Sequence, residues 1–258
     1  MKKKMEIKNL PEVIFKDSDY LYHNKPVPRV THILSKCIHS DELMNWANYL
    51  GYKHQNYREV LNLSATIGSQ CHNSIDEFTG NGIEPEQDRM YPEAYCAFLS
   101  FNMWYSQLCA NNKVKVIEHE KTLVCKYFGG TLDALYEING KLYLIDYKTS
   151  NHVRYNYALQ LAAYRYMIRE IYNLEVNGVI ILQLSKKSPG YNEYMLDFSN
   201  PDHLNFINDC EAAFFALVYA YYNIAYIEEQ YKNLIWKGDM NNESSTRSSL
   251  YPNKIKRI

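Results

Sequence analysis

Apolar residues recur at helical spacing in some stretches of the chain and alternate with polar residues in others. From Ser64 to Phe78 the stripe Ile67, Cys71, Ile75 and Phe78 predicts a helix. Pro92 to Asn111 predicts another, with Phe98, Phe101, Trp104 and Leu108 on one side. Shorter helices are predicted at about Thr31–Cys37 and, after an Asp41 N-cap, at Glu42–Gly51. A helix starts at Tyr155 or Asn156 and runs to about Tyr172, and a long helical stretch covers Pro201–Lys232. Alternation marks Lys113–Lys126 as a strand, with Val114, Val116, Glu118, Glu120, Thr122 and Val124 on one face. Val176–Leu184 and Tyr191–Leu196 read as a strand pair around Lys186–Gly190, whose lysines read as a solvated turn. Near the N-terminus, Glu12–Tyr22 suggests a strand or hairpin turning at Lys16–Asp19, and Pro26 and Pro28 hold the next residues extended. Residues 1–235 are expected to form one domain with an N-terminal helical region. Residues 236–258 are expected to be a polar, flexible tail.

The densest signal lies between Gly129 and Tyr164. Two apolar runs flank Asn139-Gly140, a dipeptide suited to a two-residue type I′ turn because both positions accept positive φ. In a regular register Leu135 faces Leu144, and Asp133 falls directly opposite Asp146. Asp146 and Lys148 share a face with Leu142 and Leu144. Opposed like charges destabilise a strand pair, and carboxylates beside an apolar face lose hydration. A divalent cation with oxygen ligands relieves both penalties. Lys148 is placed to orient a water or to balance charge developing on a phosphate. A solvated hairpin end is the competing explanation.

Other residues join this picture. His72 lies at the edge of its helix stripe, with Asp76 one turn on as a partner for the imidazole. Glu120 and Glu118 share a strand face, and either is a candidate site acid. Thr149 and Ser150 offer hydroxyls to a phosphate or a helix cap, and Arg154 and Arg165 are candidate phosphate contacts.

Length and charge constrain the partners. The chain of 258 residues is long enough for one sizeable core. Its net charge of −1 argues against gripping long duplex through many phosphates, so any DNA footprint is short. The six cysteines show no zinc spacing and read as small buried side chains in a reducing compartment. No secretory leader follows Met1, and Ala212–Ile227 is short for a membrane span, so a soluble, cytoplasmic protein with no membrane contact is expected. Most of the 25 tyrosines read as core and surface filling.

In order along the chain, GTLDAL, IDYKTS and QLAAY resemble the motifs of the PD-(D/E)XK nuclease superfamily, in its RecB/Cas4-like branch. PVPRVTHIL and ELMNWANYLG further resemble mitochondrial genome maintenance exonucleases and their phage relatives, with Arg29 where a serine is usual. The resemblance implies an α/β, restriction-endonuclease-like fold: a mixed central sheet flanked by helices, with an N-terminal helical elaboration. It implies a Mg²⁺- or Mn²⁺-dependent deoxyribonuclease. Asp133, Asp146, Lys148 and Glu120 would be catalytic, and His72, Asp133, Asp146 and the Tyr147 carbonyl would hold the metal. Gln160, Tyr164, Thr149, Ser150, Arg29, Thr31 and Arg154 would meet substrate. An iron–sulfur cluster, found in part of the branch, is not expected, because only Cys210 lies downstream of the core. The expected activity is exonuclease action on single-stranded or flapped DNA with free ends, alongside recombination, repair or replication proteins, in a bacterial or phage-infected cell. A structure-specific endonuclease and a non-catalytic binding module remain alternatives at this point.

Overall fold

A computed structural model describes residues 7, 10–15, 18–39 and 41–241. Its larger compact unit, Ile14–Val218, contains the sheet and all the candidate site residues. Met1–Val13 and Tyr219–Ile258 form the second unit, whose described part is chiefly the later turns of the last helix.

A short hairpin comes first, β1 (Leu21–Tyr22) and β2 (Lys25–Pro26). Its turn is His23-Asn24, both with positive φ, rather than the predicted Lys16–Asp19. Residues 16 and 17 of that prediction lie outside the described residues. Helices α1 (Val30–Cys37), α2 (Asp41–Tyr52), α3 (Tyr57–Asn81) and α4 (Pro92–Asn111) follow. Helix α3 starts before the expected Ser64, because the Asn56 side chain accepts from the Arg58 N–H and caps an added N-terminal stretch. Strands β3 (Val114–Val124), β4 (Gly129–Ile138) and β5 (Lys141–Lys148) lead to α5 (Tyr155–Tyr172). Strands β6 (Gly178–Leu184) and β7 (Tyr191–Asp197) and helix α6 (Pro201–Asn241) complete the described chain.

The five strands form one sheet in the order β3-β4-β5-β6-β7. All neighbours are antiparallel except β5 and β6, which are parallel and joined through α5. The β4–β5 hairpin turns at Asn139-Gly140, with φ of 52° and 79°, as a type I′ turn requires. Alternation sends Tyr143, Ile145 and Tyr147 to one face of β5, and Leu144 and Asp146 to the other. On the first face they join Ala134 and Tyr136 of β4 beneath Cys71 and Ile75 of α3 and Phe98, Phe101 and Trp104 of α4. The second face carries α5, which is buried on nearly all sides along Ala158–Ile168 because α6 covers it in turn.

Two sequence expectations change here. Arg165 is buried and bonded to Asn208 and Glu211 of α6, so it is not free to meet a phosphate. The apolar stretch Ala212–Ile227 is covered only in part: Phe214, Phe215 and Val218 are buried, whereas Tyr219, Ile224 and Ile227 are exposed. Among the described residues, α6 is long and apolar enough to cross a membrane, by length and composition only. The helix also enters the expected tail, which from residue 242 lies outside the described residues. All six cysteines are unbridged, and Cys109 is exposed rather than buried.

Phe101 is fully buried against the rings of Phe98, Trp104, Tyr105 and Tyr147. Phe101→Ala should therefore cost about 3–5 kcal/mol of stability, read as a lower urea midpoint with an unchanged slope. An unchanged midpoint would show that the α4 face of the sheet is not the tight core described here.

Candidate active site

At one end of the β4–β5 hairpin the strands leave apolar packing and present Asp133, Asp146 and Lys148. The observed ladder has the expected register but pairs Ala134 with Ile145 and ends one step before the two aspartates. Asp133 therefore does not form a regular cross-strand pair with Asp146. Its Oδ2 instead accepts the Tyr147 N–H at 2.7 Å, across the hairpin. This backbone donor supplies part of what the sequence reading assigned to a cation alone.

Asp146 is only 1% exposed. Lys148 Nζ donates to its Oδ1 at 2.7 Å and stands 2.6 Å from Oδ2. The ammonium thus lies against both carboxylate oxygens, meeting Oδ2 as a close charge contact rather than an aligned hydrogen bond. Burial pushes the Asp146 carboxyl up, to about 6, against the pull of Lys148, and the Asp133 carboxylate adds to the rise. The ammonium also lies 4.9 Å over the Tyr157 ring of α5, which holds the lysine stem in place.

His72 comes from α3. Its Nδ1 lies 3.5 Å from Asp133 Oδ1 and 3.6 Å from Glu120 Oε1. Burial works against charge on this imidazole, but Asp133 and Glu120 outweigh it and hold its pKa up, to about 10. Burial would likewise raise the Asp133 carboxyl, yet His72, Lys148 and the Tyr147 N–H keep it below its ordinary value. The two carboxylates thus favour the protonated ring between them. One ligand atom from each of His72, Glu120 and Asp133 lies within 4.8 Å of the others, close enough to hold one metal ion. The donor set suits a divalent cation: two carboxylates and an imidazole converge, and the Asp146 carboxylate lies near enough to feel the charge of Asp133.

Of Glu118 and Glu120, it is Glu120 that the geometry sets against His72. Glu118 bonds Lys121, whereas Glu120 faces His72. A register shift between Val116 and Glu118 ends the simple alternation assumed for β3. Glu120 itself has φ of +42°, left-handed backbone that costs a non-glycine residue roughly 1–2 kcal/mol. Asp76 does not orient His72 as expected. It hydrogen-bonds His119 Nδ1 instead, because the strand brings His119 to the next turn of α3. His119 escaped the sequence reading: as a polar residue off the counted strand face, it carried no motif signal.

The remaining candidates divide. Gln160 Nε2 donates to the Tyr164 hydroxyl at 3.1 Å, one turn on. Tyr164 is buried, and burial raises its pKa. Thr149 Oγ1 stands beneath Gly68 of α3, 3.5 Å from where a Cβ would lie. Ser150 Oγ donates to the His152 carbonyl and accepts from the Tyr157 hydroxyl, and its carbonyl accepts from Gln183, so it shapes the loop after β5. Arg29 ion-pairs with Asp19 and lies over the Tyr20 ring, and Arg154 ion-pairs with Glu42 at 3.7 Å. Both arginines are thus engaged within the chain. Thr31 is exposed on α1.

Removing one partner of a buried ion pair strands the other. In metal-free protein Lys148→Ala should lose about 3–5 kcal/mol, and Lys148→Ala with Asp146→Asn should recover much of that loss. Denaturant unfolding in EDTA checks this. Equal stability of the single and double variants would show that the pair does not carry the assigned charge balance.

The family model of the PD-(D/E)XK nuclease superfamily matches residues 94–230, more than half of the chain. The matched span includes Glu120, Asp133, Asp146, Lys148, Gln160 and Tyr164, while His72 precedes it. No curated protein matches. A solved structure, described as "Crystal structure of SSO0001", is similar over 58% of this chain and 74% of that one, at 16% identity. Its TM-score of 0.26 is too low to carry an argument. The ordered motifs, the five-stranded mixed sheet between helices and the family match agree: the chain belongs to the PD-(D/E)XK nuclease superfamily.

Proposed function

We propose that the protein is a Mg²⁺- or Mn²⁺-dependent DNA exonuclease of the RecB/Cas4-like branch, acting on single-stranded or flapped DNA with free ends. The observation that carries the catalytic part is the convergence of His72, Glu120 and Asp133 beside the buried Asp146–Lys148 pair. A binding module needs no such set, because burying an unrelieved carboxylate is costly. His72, Glu120, Asp133 and Asp146 would hold the metal, with the Tyr147 carbonyl as a further oxygen donor. A bound divalent cation supplies activation of water and neutralisation of the phosphate.

The protein's own groups account for the rest. Asp133, fixed by the Tyr147 N–H, keeps its carboxylate ionised and aimed at the ligand cluster. His72 would give up its proton on metal binding and offer a ring nitrogen. Lys148 remains an ammonium, held by Asp146. From there it orients the attacking water or balances charge as the water oxygen bonds phosphorus and the bond to the leaving sugar oxygen breaks. Tyr164, its hydroxyl held by Gln160, and the hydroxyl of Thr149 border the substrate side. Arg29 and Arg154 would meet a phosphate only by exchanging their present carboxylate partners for it.

Net charge favours a short footprint, which agrees with action at ends. A soluble, cytoplasmic setting with recombination, repair or replication partners completes the reading.

Asp133→Asn or Asp146→Asn should reduce cleavage by several orders of magnitude while far-UV spectra stay unchanged, and EDTA should do the same to the parent protein. Mn²⁺ should raise Tm in the parent and much less in Asp133→Asn. Single-stranded circles should survive conditions that consume the same sequence once linearised. Equal initial rates on circles and linear strands would replace exonuclease by endonuclease, and full activity in EDTA would remove the metal-dependent reading altogether.

A further inference from the structure

Asp76 and His119 line the same recess as His72, Glu120 and Asp133. In a regular strand successive side chains point to opposite faces, so neighbours such as His119 and Glu120 should not both meet one helix. Here both meet α3. His119 Nδ1 hydrogen-bonds Asp76, and Glu120 faces His72 at 3.6 Å. His72 and Asp76 are one turn apart on α3 and share a face.

The backbone at Glu120 accounts for this. The ladder pairs His119 with Ala134 and Lys121 with Leu132, and Glu120 between them is unpaired in it, with φ of +42°. Left-handed backbone breaks the alternation and swings the Glu120 carboxylate to the side of α3. Such a conformation persists in glutamate only where the surroundings over-determine it. The bond from His119 to Asp76 ties down the residue just before the kink. Gly80 continues the stripe of His72 and Asp76 by one more turn. A Cβ at Gly80 would stand 2.9 Å from His119 Cε1 and 3.2 Å from Nε2, so a side chain there would push the ring from its present seat on the helix.

We infer that His119, locked by Asp76 and seated over Gly80, is a positioning residue: it holds the left-handed turn that aims Glu120 at His72 and Asp133, and it rests on the nuclease reading above for what Glu120 is aimed to bind. His119 itself touches neither metal nor substrate in this role. It acts through Glu120.

Mn²⁺ binding to the full chain by calorimetry, DNA cleavage kinetics, and amide exchange of the metal-free protein test this together. His119→Ala should weaken Mn²⁺ binding by about tenfold and lower kcat with KM for DNA unchanged. Asp76→Ala should match it, while Asp76→Asn keeps an acceptor for the ring N–H and should retain most of the affinity. Adding His119→Ala to Glu120→Gln should cost little beyond Glu120→Gln alone, because the two changes remove the same contribution. Metal-free His119→Ala should also exchange the Glu120 and Lys121 amides faster than the parent. Parent-like Mn²⁺ affinity in His119→Ala, or additive losses in the double variant, overturns the assignment. If the parent protein binds no Mn²⁺, the nuclease reading falls instead, and exchange at Glu120 and Lys121 alone decides whether the clamp exists.

Discussion

The site depends on cancelling carboxylate charge in a place with little water. Glu120 of β3 and Asp133 of β4 are brought together, and the 1%-exposed Asp146 of β5 lies near enough to feel the Asp133 charge. Left alone they would repel one another and resist burial. Two basic groups offset that: the His72 imidazole, whose protonated form Glu120 and Asp133 favour, and the Lys148 ammonium, against Asp146. An arrangement whose balance includes a removable proton on His72 suits the entry of a divalent cation.

Everything around the site fixes where those five groups stand. The type I′ turn sets the β4–β5 register, and the register sets which aspartate reaches the hairpin end. The Phe98–Phe101–Trp104 cluster of α4 backs Tyr136 and Tyr147, whose hydroxyls meet at 3.0 Å beneath the site. Tyr147 then supplies the N–H that holds Asp133. On the far face Tyr157, Gln160 and Tyr164 of α5 close against Lys148 and the sheet. Helix α5 is held in turn by α6, through the buried Arg165–Glu211 and Arg169–Glu211 pairs. The rigid parts are sheet and helix, which is where a metal site needs its ligands.

Helix α3 links the layers. One stripe of it supplies Cys71 and Ile75 to the core, and the neighbouring stripe supplies His72, Asp76 and Gly80 to β3. A single helix face can thus serve packing and chemistry together, because side chains four apart stay nearly in line. The left-handed residue at Glu120 is the local cost of matching that line to a strand.

Much of this was legible in the sequence because it follows from local periodicity. The α4 stripe, the Asn139-Gly140 turn, the α5 start and the pairing of Gln160 with Tyr164 each depend on spacing of two or about 3.6 residues. Residue types in order, Asp133, Asp146 and Lys148, also marked the family. Tertiary structure alone decided what spacing cannot express. A register shift and a positive φ selected Glu120 over Glu118, because each breaks the period on which a strand face is counted. Asp76 went to His119 rather than His72 because two elements distant in sequence meet there. Arg165 looked like a phosphate ligand until α6 folded over it, since burial is set by what packs on a residue and not by its neighbours in the chain.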